Sequence, residues 1–135
     1  MFDDKAEEIK TLWQDVPYRK NGRDIRGVDC IGILFGVYGY LGIDLPGKNI
    51  LKNSGPNWAH VLLTYASRYF KVIQCEDMEP FDMIFFIKGG EELHTGIYLA
   101  NDEFIHCYGE NGVKVDSFQR WRPQFHKAMR LREGK

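Results

Sequence analysis

Behind Asp29 runs an apolar stretch, Cys30-Ile31-Gly32-Ile33-Leu34-Phe35-Gly36-Val37-Tyr38-Gly39-Tyr40-Leu41, that leaves the chain few ways to fold. A helix over Ile31 to Leu41 is apolar nearly all round, so it must be buried. It is also too short and too glycine-rich to span a membrane. Gly32, Gly36 and Gly39 fall at i, i+4 and i+7, hence on one face. Each costs about 1 kcal/mol against Ala inside a helix. Accepting that cost three times implies a bare backbone surface against which something packs closely. Gly42 can stop the helix, and Pro46 keeps it stopped.

Around this centre the periodicity divides the chain in two. Phe2, Ala6, Ile9 and Trp13 stand at helical spacing, and Pro17 ends that helix. Tyr18 to Val28 and Gly47 to Asn57 read as loops. Trp58 to Phe70 gives a third helix, with Trp58, Val61, Leu62, Tyr65 and Tyr69 on one side. From there the period changes to two. Met83 to Ile87 predicts a strand, His94 to Leu99 and Glu103 to Tyr108 a hairpin around Ala100-Asn101-Asp102, and Val113 to Val115 and Ala128 to Leu131 two short strands. Helices first and an antiparallel sheet after them argue for an α+β fold. At 135 residues, one domain over 1–135 is expected.

Composition narrows the function classes. A formal net charge of -1 gives no global field that would draw the chain to nucleic acid. Acidic residues gather at the start and basic ones near the end, which reads as two solvated faces. Cys30, Cys75 and Cys107 cannot all pair and show no CxxC spacing, so a reducing compartment or a required free thiol fits best. The four histidines and three cysteines match no recognised zinc pattern, and no cofactor is expected. The start, Met1-Phe2-Asp3-Asp4-Lys5, has neither the basic nor the apolar region of a signal peptide. A target outside the cytoplasm would then be reached by lysis, phage delivery or non-classical export.

The chemistry concentrates on Cys30, His94 and His106. A cysteine in the first turn of a helix meets unpaired N–H groups and a partial positive charge, both of which favour a thiolate. Strand alternation puts His94, Gly96 and Tyr98 on one face, and Phe104, His106 and Tyr108 on one face of the next strand. If a three-residue turn pairs Leu99 with Glu103, Gly96 lies opposite His106 and His94 is its diagonal neighbour. A one-residue slip would separate the two rings. His94 would then take the Cys30 proton, and His106 would hold the His94 ring in one tautomer. The Cys30 backbone N–H and the Tyr18 hydroxyl are candidate oxyanion donors. Asp29 is either the helix N-cap or a carboxylate aimed at a cationic group on the substrate.

Together these residues resemble the NlpC family of cell-wall cysteine peptidases. Gly27-Val28-Asp29-Cys30-Ile31-Gly32-Ile33-Leu34 is similar to the family's nucleophile motif, and Leu41-Gly42-Ile43-Asp44-Leu45-Pro46 to the helix exit after it. Pro80-Phe81-Asp82-Met83-Ile84 resembles its P-G-D strand, His94-Thr95-Gly96-Ile97-Tyr98-Leu99 its H-V-G-I-Y-L, and Phe104-Ile105-His106 its third catalytic position. The resemblance implies a papain-like fold and hydrolysis of amide bonds in peptidoglycan stem peptides, commonly between D-glutamate and a diamino acid. It implies that Tyr18 and Asp29 help bind the substrate. Gly22-Arg23-Asp24 ahead of the motif looks more like phage-encoded members, so phage tail components are conceivable partners. The sequence departs from the family at Ile31, where many relatives carry serine, at Phe81, where glycine is usual, and at Arg19-Lys20-Asn21-Gly22, in place of Trp-Gly-Gly. An idle structural or binding module, or a thiol amidase or acyltransferase, is the alternative.

Overall fold

The computed structural model describes residues 2–51 and 57–132. Among these residues, four α-helices and eight strands follow one another: α1 (Phe2–Trp13), β1 (Arg23–Asp24), β2 (Gly27–Val28), α2 (Cys30–Tyr40), α3 (Trp58–Tyr69), β3 (Phe70–Ile73), β4 (Met83–Lys88), β5 (Glu92–Ala100), β6 (Glu103–Cys107), β7 (Val113–Ser117), α4 (Phe118–Trp121) and β8 (Phe125–Leu131). Six of the strands form one antiparallel sheet in the order β3-β8-β4-β5-β6-β7, and β1 and β2 form a small hairpin of their own. The α+β expectation holds. Of the expected 47–57 loop, 48–51 form a 3₁₀ turn and 52–56 lie outside the described residues.

α2 occupies the centre. Ile31, Ile33, Leu34, Val37 and Tyr38 are buried, each worth roughly 1.5–3 kcal/mol relative to exposure. They join Ala6, Ile9 and Trp13 of α1, Leu62, Tyr65 and Ala66 of α3, and one face of the sheet: Met83, Phe85, Leu93, Ile97, Leu99, Ile105, Cys107, Val113 and Met129. The other face carries a smaller, aromatic cluster of Ile84, Phe86, Phe104 and Phe118, with Tyr98, Trp121 and Phe125 at its rim. β4 is central and buried on both faces, which is why Met83-Ile84-Phe85-Phe86 reads as a continuous apolar run.

The glycine surface of α2 is real over two of its three positions. A Cβ on Gly36 would sit 2.5 Å from the Trp13 indole, and one on Gly32 would sit 2.2 Å from the Gly22 carbonyl oxygen. Gly39 faces open space. At the helix end Gly42 takes φ +78°, and the Ile43 and Gly42 N–H groups bond the Tyr38 and Gly39 carbonyls at 2.9 and 3.0 Å.

The β5–β6 register matches the expected one by a different route. Ile97 pairs with Ile105 and Tyr98 with Phe104, but Ala100 pairs with Glu103 across a two-residue turn. Asn101 and Asp102 both take positive φ there, 53° and 70°. An irregularity at Leu99 absorbs the extra residue, so two-residue turn plus bulge gives the same alignment as a three-residue turn. β3 differs from expectation. Phe70, read from the sequence as the last helical residue, leaves the helix and pairs with Leu131. Asp82, at the entry to β4, accepts two hydrogen bonds from Arg130 of β8, both at 2.9 Å, and one from the Glu79 N–H. Phe81 before it takes φ +78°, the left-handed region for which glycine is suited.

Candidate active site

Asp29 begins the site. Its Oδ1 accepts from the Gly32 N–H at 2.8 Å, which makes it the N-cap of α2. The same oxygen accepts from Arg23 Nη1 at 2.9 Å, and Oδ2 accepts from the Asn21 N–H at 3.0 Å. The expected cap is realised, and the same carboxylate lines the cleft beside Cys30. The cap also ties the β1–β2 hairpin to the helix start, as do the Arg19–Val28 and Val28–Pro17 backbone bonds. These hold Tyr18, 43% exposed, beside the first turn of α2.

Tyr18, Asp29 and Cys30 share one cleft of about 110 Å³ with Lys20, Asn21, Arg23, Ile31 and Trp58. Cys30 is half-buried and free. Burial pushes its thiol up to about 11, and the Asp29 carboxylate adds to the rise. The expected electropositive helix tip is thereby corrected. The aspartate that caps the helix also places a negative charge beside the sulfur, and desolvation disfavours the thiolate further. Both influences favour the neutral thiol over the thiolate, and the backbone N–H and Arg23 oppose them only in part.

His94 and His106 meet. His94 Nε2 lies 2.6 Å from His106 Nδ1, with ring centroids 4.8 Å apart. His94 is 6% exposed and His106 fully buried. Gly96 makes the close approach feasible, since a Cβ there would lie 2.8 Å from the Phe104 ring and 3.2 Å from His106 Cβ. The pair sits in an aromatic setting. Trp121 stacks on His94 with centroids 5.3 Å apart, Tyr108 stacks on His106 at 5.6 Å, and Phe86 and Phe104 close the floor. Burial lowers both imidazoles. His94 falls to about 3, with His106 and Lys88 adding to the drop, while Asp116 pulls His106 partly back.

Sequence reasoning missed that aspartate. Asp116 Oδ2 lies 2.7 Å from His106 Nε2. The strand over Val113 to Val115 was expected to stop one residue short of it, whereas β7 runs on to Ser117. Once β7 is extended, alternation finds the residue: Phe104 and His106 face one way on β6, and Asp116, opposite Phe104, faces with them.

The thiol and the imidazole pair arrive by different faces. α2 packs on the face that also holds Ile97 and Ile105, whereas the rings lie on the aromatic face with Phe86 and Phe104. They converge at one end of the sheet. Glu92, two residues before His94, is close enough to push the Cys30 thiol up. Cys107, next to His106, donates its thiol to the Val28 carbonyl at 3.3 Å, two residues before Cys30. Among the described residues Cys30 makes no hydrogen bond with either ring. Such bonds commonly lengthen in ligand-free sites. Nδ1 of His94, the ring nitrogen not engaged with His106, makes no hydrogen bond among those residues.

Residues 15–130 match the model of the NlpC/P60 family. Over 124 residues the chain is 29% identical to the probable endopeptidase NlpC of Escherichia coli, covering 88% of this chain and 71% of that protein. Over 123 residues it is 25% identical to the murein DD-endopeptidase MepS/murein LD-carboxypeptidase of the same organism. That match covers 88% of this chain but only 57% of the relative, so the chain spans little more than half of its length. An NlpC/P60 family protein from Bacillus cereus superposes with a TM-score of 0.68 at 23% identity, over 96% of this chain and 40% of that one. RipD of Mycobacterium tuberculosis, described as a non-catalytic NlpC/p60 domain protein adapted to peptidoglycan binding, superposes at 0.60 with 17% identity over 99% and 98% of the two chains. At such identities these superpositions speak for the fold alone.

Proposed function

The chain belongs to the NlpC/P60 family, and from that membership we propose that it is a cysteine peptidase of peptidoglycan stem peptides, cutting between D-glutamate and a diamino acid. The observation that carries the reading is the bonded His94–His106 pair at the sheet end that also receives the capped helix start bearing Cys30. The curated relatives named as endopeptidases support the reaction class.

The resting state sets the order of events. Cys30 is a neutral thiol and His94 a neutral imidazole at ordinary pH. Proton transfer therefore accompanies attack rather than preceding it. His94 takes the thiol proton on Nδ1 as the sulfur bonds to the substrate carbonyl carbon. The developing oxyanion is met by the Cys30 N–H, with the Tyr18 hydroxyl as a second donor across the cleft. His94 then returns its proton to the leaving amine as the C–N bond breaks. Water, deprotonated by the same imidazole, hydrolyses the thioester. Tyr18 binds substrate at the cleft wall. Asp29 lines the same cleft, and its Oδ2, which accepts only from the Asn21 N–H among the described residues, keeps a lone pair for a cationic group of the substrate.

Replacing Cys30 by Ala abolishes release of peptides from purified peptidoglycan on this reading, and activity equal to the parent refutes the mechanism. A positioned base contributes ~10²–10⁴-fold, so His94→Ala loses at least that much. A second reading is favoured by the raised thiol: a binding module that retains an idle site, as RipD is described. It predicts that the parent binds peptidoglycan without releasing fragments, and that Cys30→Ala binds equally well.

A further inference from the structure

Three side chains stand in line across β5, β6 and β7: His94, His106 and Asp116, with contacts of 2.6 and 2.7 Å. Each contact has room for one proton, and its direction is fixed from the outer end. A carboxylate can only accept. His106 must therefore carry its proton on Nε2 and donate it to Asp116. Its Nδ1 is then a bare lone pair, which can only accept. His94 must in turn carry its proton on Nε2 and donate it to His106. What remains on His94 is an unprotonated Nδ1, the nitrogen that makes no hydrogen bond among the described residues. We propose that Asp116 is a positioning residue that sets the tautomers of both histidines and so makes Nδ1 of His94 the base of the site.

The surroundings support one proton per ring. Burial lowers both imidazoles, so neither carries a second proton near neutral pH. Lys88, whose ammonium lies 4.4 Å from the Tyr108 ring centre, faces the pair and opposes a positive charge on either ring. Trp121 and Tyr108 stack on the two rings and keep them from turning over. A flipped ring would break the line even with every residue present. Asp116 is partly exposed, at 29%, while His106 is sealed, so the relay ends at the protein surface. When His94 gains the thiol proton, the new positive charge is stabilised by a carboxylate one imidazole away. No proton needs to leave His94 for this to operate.

The catalytic purpose of the line rests on the proposed Cys30–His94 chemistry, but the tautomers can be read without it. ¹⁵N-imidazole NMR of the full chain near pH 7 tests the assignment directly. Both buried histidines are expected to show protonated Nε2 and bare Nδ1. Asp116→Ala removes the acceptor and should bring Nδ1-protonated forms into the spectrum. In peptidoglycan hydrolysis it should lower kcat by at least roughly 10-fold and by up to about 10⁴-fold, the loss seen where a catalytic histidine takes the wrong tautomer, with KM little changed. Asp116→Glu, which restores an acceptor, should recover part of both. A residue that merely satisfies a buried ring nitrogen would leave tautomers and kcat unmoved in Asp116→Ala, and that result overturns the proposal. Should Asp116→Ala fail to fold, the parent spectrum still decides, because Nδ1 protonation on either ring overturns it. An inactive parent with Nε2 protonated on both rings sinks the hydrolase reading and the purpose of the relay with it. An active parent with Nδ1 protonated sinks the relay alone.

Discussion

Cys30 sits where a helix dipole should favour a thiolate, and yet its thiol is held well above the ordinary value. The two influences can be ranked. A helix end is worth about 0.3–1 kcal/mol at an exposed position, and here the cap carboxylate of Asp29 offsets it directly. Desolvation of a largely buried sulfur is the larger influence and points the other way. Alkylation of Cys30 by iodoacetamide in the ligand-free protein should therefore keep rising with pH toward about 11. A thiolate–imidazolium pair would instead give a plateau near neutrality. Cys75→Ala and Cys107→Ser in the background isolate the Cys30 signal. A pH-independent fast rate between pH 6 and 8 would contradict the ranking.

At the scale of elements, α2 gives the sharpest contrast, because three chemically identical residues in one helix have different surroundings. Gly36→Ala gains about 1 kcal/mol of helix propensity but drives a methyl group to 2.5 Å from the Trp13 ring. Overpacking of that kind costs about 1–3 kcal/mol, so the variant should be less stable by urea denaturation. Gly39→Ala meets nothing and should be more stable by about 0.5–1 kcal/mol. The reverse order would mean that α1 does not press against α2 as described. The apolar periodicity made α2 and its glycine stripe legible in the sequence but could not tell which glycines were in use, since contact with Trp13 is a tertiary fact. The β5–β6 register was legible from the turn: Asn101-Asp102 marks where the chain reverses, and the irregularity at Leu99 restores the alignment that a three-residue turn would give. β3 was not, because no turn residue separates Phe70 from the helix before it. Asp116 was hidden by the end of its strand, where Ser117 stands at the place that the alternation of Val113 and Val115 reserves for an apolar residue.

For the molecule as a whole, placing two neutral imidazoles in an aromatic pocket has a thermodynamic consequence independent of any reaction. In the unfolded chain a histidine takes up a proton near pH 6.5. In the folded protein His94 resists protonation down to about 3, and His106 is also lowered. Between those limits the unfolded state binds protons that the native state refuses. Stability is therefore fully present above about pH 6.5 and falls as the pH drops toward 3, at up to about 1.4 kcal/mol per pH unit from His94. The Asp116 contact on His106 moderates the effect without reversing it, because burial remains the larger influence there. His94→Gln keeps a polar partner for His106 Nδ1 but cannot titrate. Its melting temperature should fall less steeply than the parent's between pH 6.5 and 4. The Asp82–Arg130 pair is common to both proteins and cancels in the comparison. Parallel melting curves for the two proteins across that range would show that His94 is protonated in the native state, and the neutral resting pair on which the proposed reaction turns would go with it.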